Sequence, residues 1–114
     1  MQCRSWCATN VVVFLLVSSV ASAQTFQVRE ATIEDVHAAL ASGQITCRAL
    51  VQQYLDRIDA YDKSGPSLNA IQHINGAALL AADALDETFS TSGLVGPLHC
   101  VPVLLKDQVE TRDM

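Results

Sequence analysis

Hydrophobic and polar positions change their spacing several times along the chain. Residues 11–20, VVVFLLVSSV, are almost unbroken apolar. From Thr32 onward the apolar positions spread out: Ile33, Val36, Ala39 and Leu40 fall on one face at helical spacing. Thr32 is a capping residue with Asp35 three positions on, and acids in the first turn suit the positive end of a helix. Ser42 and Gly43 read as the stop. The spacing therefore predicts a short first helix of about three turns.

A second helix is predicted from Thr46. Leu50, Val51, Tyr54, Leu55, Ile58 and Tyr61 form an apolar stripe, and Gln52, Gln53, Asp56, Arg57 and Asp59 occupy much of the other side. The stripe is read as a packing face. KSGPS, Lys63–Ser67, breaks this helix. Leu68–Ile74, LNAIQHI, is read as a short strand, and the run Ala77–Leu85 as a third helix starting near Asn75 or Gly76. Asp83, Asp86 and Glu87 would then crowd its negative end, an unfavourable place for acids. Phe89–Gly96 reads as a loop and Leu98–Leu105 as a second strand, with Pro102 arguing for an edge or a strand start. Two helices, strand, helix, strand is an α/β order. Two strands are too few for a sheet of their own, so the elements look like the opening of something larger.

The apolar run at residues 11–20 is too short to span a bilayer, which takes roughly 20 apolar residues. It follows a start containing Arg4 and precedes Ala21-Ser22-Ala23, an A-x-A ending. Basic start, apolar centre and small-residue cut site predict a secretory signal peptide over residues 1–23 and a mature secreted chain over 24–114. Cleavage removes Arg4, leaving six basic residues against twelve acidic ones. An acidic chain without a basic cluster argues against nucleic acid and anionic membrane surfaces as partners. Cys3 and Cys7 leave with the signal. Cys47 and Cys100 remain, and in an oxidising compartment they could pair or stay as buried thiols.

Candidate chemistry is sparse. His37, His73 and His99 stand apart, and there is no Cys/His spacing for zinc, so neither metal nor cofactor is expected. His99 and Cys100 are adjacent, and neighbouring strand residues face opposite ways, which argues against a Cys–His dyad between them. Asp56, Asp59 and Asp62, at i, i+3 and i+6, read as a solvated helix face. No serine stands in a G-x-S-x-G elbow and no glycine loop is built for phosphate. Lys106, which ends VPVLL, is the remaining candidate. A lysine acts as a base when its ammonium is made easier to deprotonate, as burial does. Strand-end lysines more often face water.

Residues 96–111, GPLHCVPVLLKDQVET, resemble the segment of the amidase signature family written G-P-L-H-G-(I/V)-P-(V/I)-x-(V/L)-K-D-N-(I/V)-x-T. ITCRALVQQYLDRIDAYDKSGPSLNAI, residues 45–71, is similar to that family's opening helix and the L-N-A after it. The resemblance runs from about Ala31 to Met114. It implies the N-terminal part of an α/β/α sandwich with a mixed sheet. It also implies an amidase-type hydrolase of carbon–nitrogen bonds in small-molecule amides. By motif position Lys106 matches a catalytic lysine, acting through a bridging serine on a nucleophilic serine. Those serines belong to a later Gly/Ser-rich signature that the 114 residues do not contain, so this chain alone is expected to be inactive. Cys100 stands where glycine is usual, Gln108 where asparagine is usual, and Cys47 where serine is frequent. The rival readings are a non-catalytic secreted module, or remnant, that binds through strand edges, and an aggregation-prone orphan with its apolar stripe uncovered.

Overall fold

The computed structural model describes residues 25–111. The predicted signal peptide lies outside the described residues. Three α-helices organise the rest: α1 (Ile33–Ala41), α2 (Cys47–Arg57) and α3 (Ala78–Ser92), with a π-helical turn, Ile58–Lys63, continuing α2. None of these helices is long and apolar enough to cross a membrane.

α1 begins as its sequence dictates. The Thr32 hydroxyl accepts from the Asp35 N–H at 3.1 Å, and the Asp35 carboxylate accepts from the Thr32 N–H at 2.9 Å, a reciprocal capping box. These bonds to Thr32 hold the Asp35 carboxyl below its ordinary pKa. The helix stops at Ser42, and Gly43 follows with φ +68°, its N–H returning to the Leu40 carbonyl. Val36, Ala39 and Leu40 are buried and meet Val28, Ile45, Cys47, Leu50, Ala82 and Cys100 in one small core. Leu50 and Cys47 are fully enclosed. Val51, Tyr54, Leu85 and Phe89 pack against this core, so the α2 stripe and one side of α3 face each other.

α3 runs longer than its apolar pattern suggests, through the stretch read as a loop from Phe89. The hydroxyls of Thr88, Ser90 and Thr91 bond back to carbonyls three or four residues earlier, which lets polar residues stay helical. Leu85 and Phe89 are held by the core. The helix ends at Gly93.

The α/β/α sandwich with a mixed sheet is not what the described residues form: they are helical and contain no strand. The reason lies in where the backbone donors go. At 68–74, the Leu68 N–H bonds to the Tyr61 carbonyl and the Asn69 N–H to the Asp62 carbonyl. The N–H groups of Ala70 and Ile71 bond to the Asp62 carboxylate at 2.5 and 3.2 Å. Ser67 and Asn69 have positive φ, which breaks the pleat. The segment is thus fastened to the π-helical turn, leaving those donors no ladder to join. In the second segment, Gly96–Val101 is wound into turns by His99 N–H to Gly96 carbonyl and Val101 N–H to Leu98 carbonyl bonds. Beyond it the backbone carries exposed Val103, Leu104 and Leu105. An apolar run becomes a strand only beside a partner.

The π-helical turn also corrects the expectation for Asp62. On a continuing α-helix it would share the solvated face of Asp56 and Asp59. The Ser64 N–H reaches back five residues to the Asp59 carbonyl at 2.9 Å, and the wider turn brings Asp62 inward to 5% exposure. Gly65 passes so close to this turn (φ +51°) that a Cβ there would lie 2.7 Å from the Ala60 carbonyl oxygen. Desolvation opposes charge on Asp62. The Lys63 ammonium at 2.9 Å and the Ala70 and Ile71 N–H groups outweigh it, holding the carboxyl below its ordinary pKa.

A lowered native pKa stabilises the fold above the unfolded carboxyl pKa of about 3.9, and the contribution disappears as pH falls through the native value. Asp62→Asn should therefore lower the denaturation midpoint at pH 6, and the gap to the parent should narrow as pH drops below about 4. A gap independent of pH would contradict this account of Asp62.

Candidate functional site

His99, Cys100 and Cys47 fall in a buried cluster at the start of α2, Lys106 ends an exposed segment, and His73, Asp56 and Asp59 are exposed away from both. The cluster is built from three distant parts of the chain. α2 starts at Thr46, whose hydroxyl accepts from the Ala49 N–H at 3.1 Å. Its next two N–H groups, on Cys47 and Arg48, donate to the Asp86 carboxylate at 2.7 and 3.0 Å. Free N–H groups and the helix dipole both favour an anion there. Asp86 therefore does not burden the end of its own helix; it sits mid-helix on α3 and caps α2. Asp83, one turn earlier, pairs with the Arg48 guanidinium at the surface.

Cys47 is joined to Cys100 by a disulfide across a sequence separation of 53, with the Cα atoms 5.2 Å apart. His99 is 3% exposed, with its Nε2 3.9 Å from the Cys47 Sγ and its ring centroid 5.8 Å from that of Phe89. Its carbonyl accepts from His37 Nε2 at 3.2 Å, so His37 is also drawn to this region. His99 Nδ1 is buried without a hydrogen-bond partner.

His99 and Cys100 both point inward, against the alternation expected of a strand. Cys100 has φ +62°, a left-handed conformation that glycine enters freely and residues with a Cβ avoid. The backbone reverses there, and two consecutive side chains enter one pocket. Sequence spacing could not show this, because strand alternation is the wrong periodicity for a turn. The position where the resembling family carries glycine is one where the backbone asks for it. Cys47, His99 and Cys100 bring their ligand-type atoms within 4.8 Å of one another, a composition suited to a soft metal. With the sulfurs joined to each other, no thiolate is present to ligate one.

Lys106 is exposed, and its carbonyl accepts from the Val109 N–H at 2.8 Å. The described residues do not supply the burial that sequence reasoning asks of a lysine base. What they do supply is an anchor: Lys106 stands six residues after the buried Cys100.

The sequence profile of the Amidase family matches residues 49–114, more than half of the chain. The chain belongs to the amidase family. A protein of Arabidopsis thaliana named "Probable amidase" is 38% identical over 106 residues, covering 86% of this chain and 20% of its own length. A Schizosaccharomyces pombe protein likewise named for an amidase is 32% identical over 90 residues, 79% of this chain and 15% of that one. A Chloroflexus aurantiacus protein, named for one of the subunits of a glutamyl-tRNA(Gln) amidotransferase, is 38% identical over 81 residues, 70% of this chain and 16% of that one. The chain therefore spans about a fifth or less of these relatives' length. No solved structure gives a significant match. Family membership confirms the resemblance read from GPLHCVPVLLKD and from the α2 region.

Replacing Asp86 by Ala leaves two N–H groups at the start of α2 without their acceptor. Loss of such a cap costs about 1–2 kcal/mol. The denaturation midpoint should fall accordingly, while Asp83→Ala, at an exposed pair, should change it by less than about 1 kcal/mol. Equal effects from the two would remove the capping role.

Proposed function

We propose that this chain is the N-terminal portion of a secreted amidase that hydrolyses the carbon–nitrogen bond of a small-molecule amide. Lys106 is its proton acceptor in Ser-Ser-Lys chemistry. The observation that carries the proposal is Lys106-Asp107, standing in its motif within the family-matched residues and tethered through Cys100 to the start of α2.

In this scheme the Lys106 amine takes a proton from a bridging serine, which takes one from the nucleophilic serine as it attacks the amide carbonyl. The C–N bond breaks, the amine leaves with a proton, and water then hydrolyses the acyl ester. Both serines would come from residues outside these 114, so the chain alone should not turn over amides.

One structural feature and one comparison support the reading as a portion of a larger domain. Leu80, Leu98, Val103, Leu104 and Leu105 are each at least half exposed, an apolar surface of the kind that packing normally covers. The chain also matches only a small share of its relatives. Secretion is supported by the residue 1–23 pattern and by the Cys47–Cys100 disulfide, a bond that persists in oxidising compartments.

The test is expression of this chain from a secretory host, alone and continued by the remainder of an amidase domain. The secreted product should begin at Gln24. The continued polypeptide should hydrolyse amides, and Lys106→Ala should lower kcat by about 10²–10⁴-fold, the range for loss of a general base. The 114 residues alone should show no turnover. Hydrolysis by the short chain that Lys106→Ala abolishes would overturn its predicted inactivity. Full activity of the continued Lys106→Ala protein would overturn the role given to Lys106. Cooperative unfolding of the short chain, with a continued polypeptide that hydrolyses nothing, would favour the non-catalytic module.

A further inference from the structure

Cys100 occupies a conformation that its own side chain disfavours. At φ +62° a residue with a Cβ is less populated by a factor of about 5 to 30 than in its ordinary wells. The turn is held both from a distance and by bonds of the cysteine's neighbours. Its sulfur is bonded to Cys47, which is fully buried and whose N–H is fixed by the Asp86 carboxylate. The His99 N–H to Gly96 bond precedes Cys100 and the Val101 N–H to Leu98 bond closes the turn across it, at 3.2 and 3.1 Å. After Val101 the chain runs exposed to Lys106. Among the described residues, the buried attachment that precedes Lys106 is therefore the turn at His99 and Cys100.

We propose that Cys47 and Cys100 are positioning residues for Lys106: their disulfide holds residue 100 in the left-handed conformation and so sets where the Lys106 segment leaves the helical core. This rests on the amidase reading for its functional consequence. The clamp has two states. Reduction by two equivalents of a low-molecular-weight thiol breaks the S–S bond, delivers two electrons and two protons to give two cysteine thiols, and releases the reductant as its own disulfide. In the reduced state Cys100 is free to return to negative φ, and the direction of the Lys106 segment changes with it. Both sulfurs are enclosed, so the oxidised state resists reductant until the turn opens.

Glycine separates this proposal from simple cross-linking. Cys47→Ser/Cys100→Gly and Cys47→Ser/Cys100→Ala lose the same covalent loop, but only glycine takes φ +62° freely. The first experiment is amide hydrogen exchange on the secreted chain, residues 24–114. Reduction with dithiothreitol, or the alanine double variant, should speed exchange at His99, Val101 and Val109 about tenfold, within the population range above. The glycine double variant should stay within about threefold of the oxidised parent at these amides. Equal exchange in the two double variants would overturn the proposal. If neither variant folds, graded reduction of the parent decides. Exchange rising at residues 99–109 before the α2 amides supports the clamp, and a uniform rise overturns it.

The second readout is kinetic, in the polypeptide continued by the rest of an amidase domain. The reduced parent and the alanine variant should lose about tenfold or more in kcat with KM within about twofold, and the glycine variant should keep kcat. Equal kcat in oxidised and reduced enzyme overturns the clamp and leaves the amidase reading standing. Absence of amidase activity in every form overturns that reading, while the exchange data still decide whether the disulfide sets the turn.

Discussion

The start of α2 is where the chain's distant parts are fastened together. Asp86 on α3 accepts from the N–H groups of Cys47 and Arg48, and the Cys47 sulfur is bonded to Cys100. A helix N-terminus needs acceptors, and here they come from another helix, so capping also sets how α2 and α3 pack. The disulfide closes a loop worth about 4 kcal/mol in chain-entropy terms. For a core as small as the one around Leu50, that is a large share of what an ordinary domain has in total.

A second constraint comes from the backbone of the connections. Asp62, turned inward by the π-helical turn, takes up the N–H groups of Ala70 and Ile71, and the Lys63 ammonium bonds the Ile71 carbonyl. The segment after α2 is satisfied locally and stays against its own helix. The residues around Lys106 have the opposite character. Val103, Leu104 and Leu105 are apolar and exposed, and Lys106 follows them into solvent. The connection after α2 is closed on itself and the segment after Cys100 is open, and the proposed catalytic group is on the open one. In the proposed enzyme, burial of Lys106 would then come from the remainder of the domain, while its point of departure is set by the helical core.

The helices are largely readable because their signals are local. Thr32 with Asp35, Thr46 before Cys47, and the stripe of Leu50, Val51 and Tyr54 carry caps and faces within a few residues. The end of α3 is not readable in this way. Thr88 and Thr91 have the composition of a loop, while core contacts and back-bonded hydroxyls keep them helical. The segments at 68–74 and 98–105 have the pattern of strands without their structure. An apolar run carries no information about its partner, and a strand exists only with one.

By itself the sequence determined the helix starts, the acidic charge and the family, since each is written in contiguous residues; GPLHCVPVLLKD alone placed Lys106 in its motif. Tertiary structure decided the rest. It turned Asp86 from a liability at the end of one helix into the cap of another, and Asp62 from a surface acid into a buried acceptor. It also brought His99 beside Cys47, 52 positions away, through a left-handed turn at Cys100. The physical reason is common to all three. A charge, a thiol or a ring is placed by what the fold puts opposite it, and that neighbour is set by the packing of distant segments, which no local pattern records.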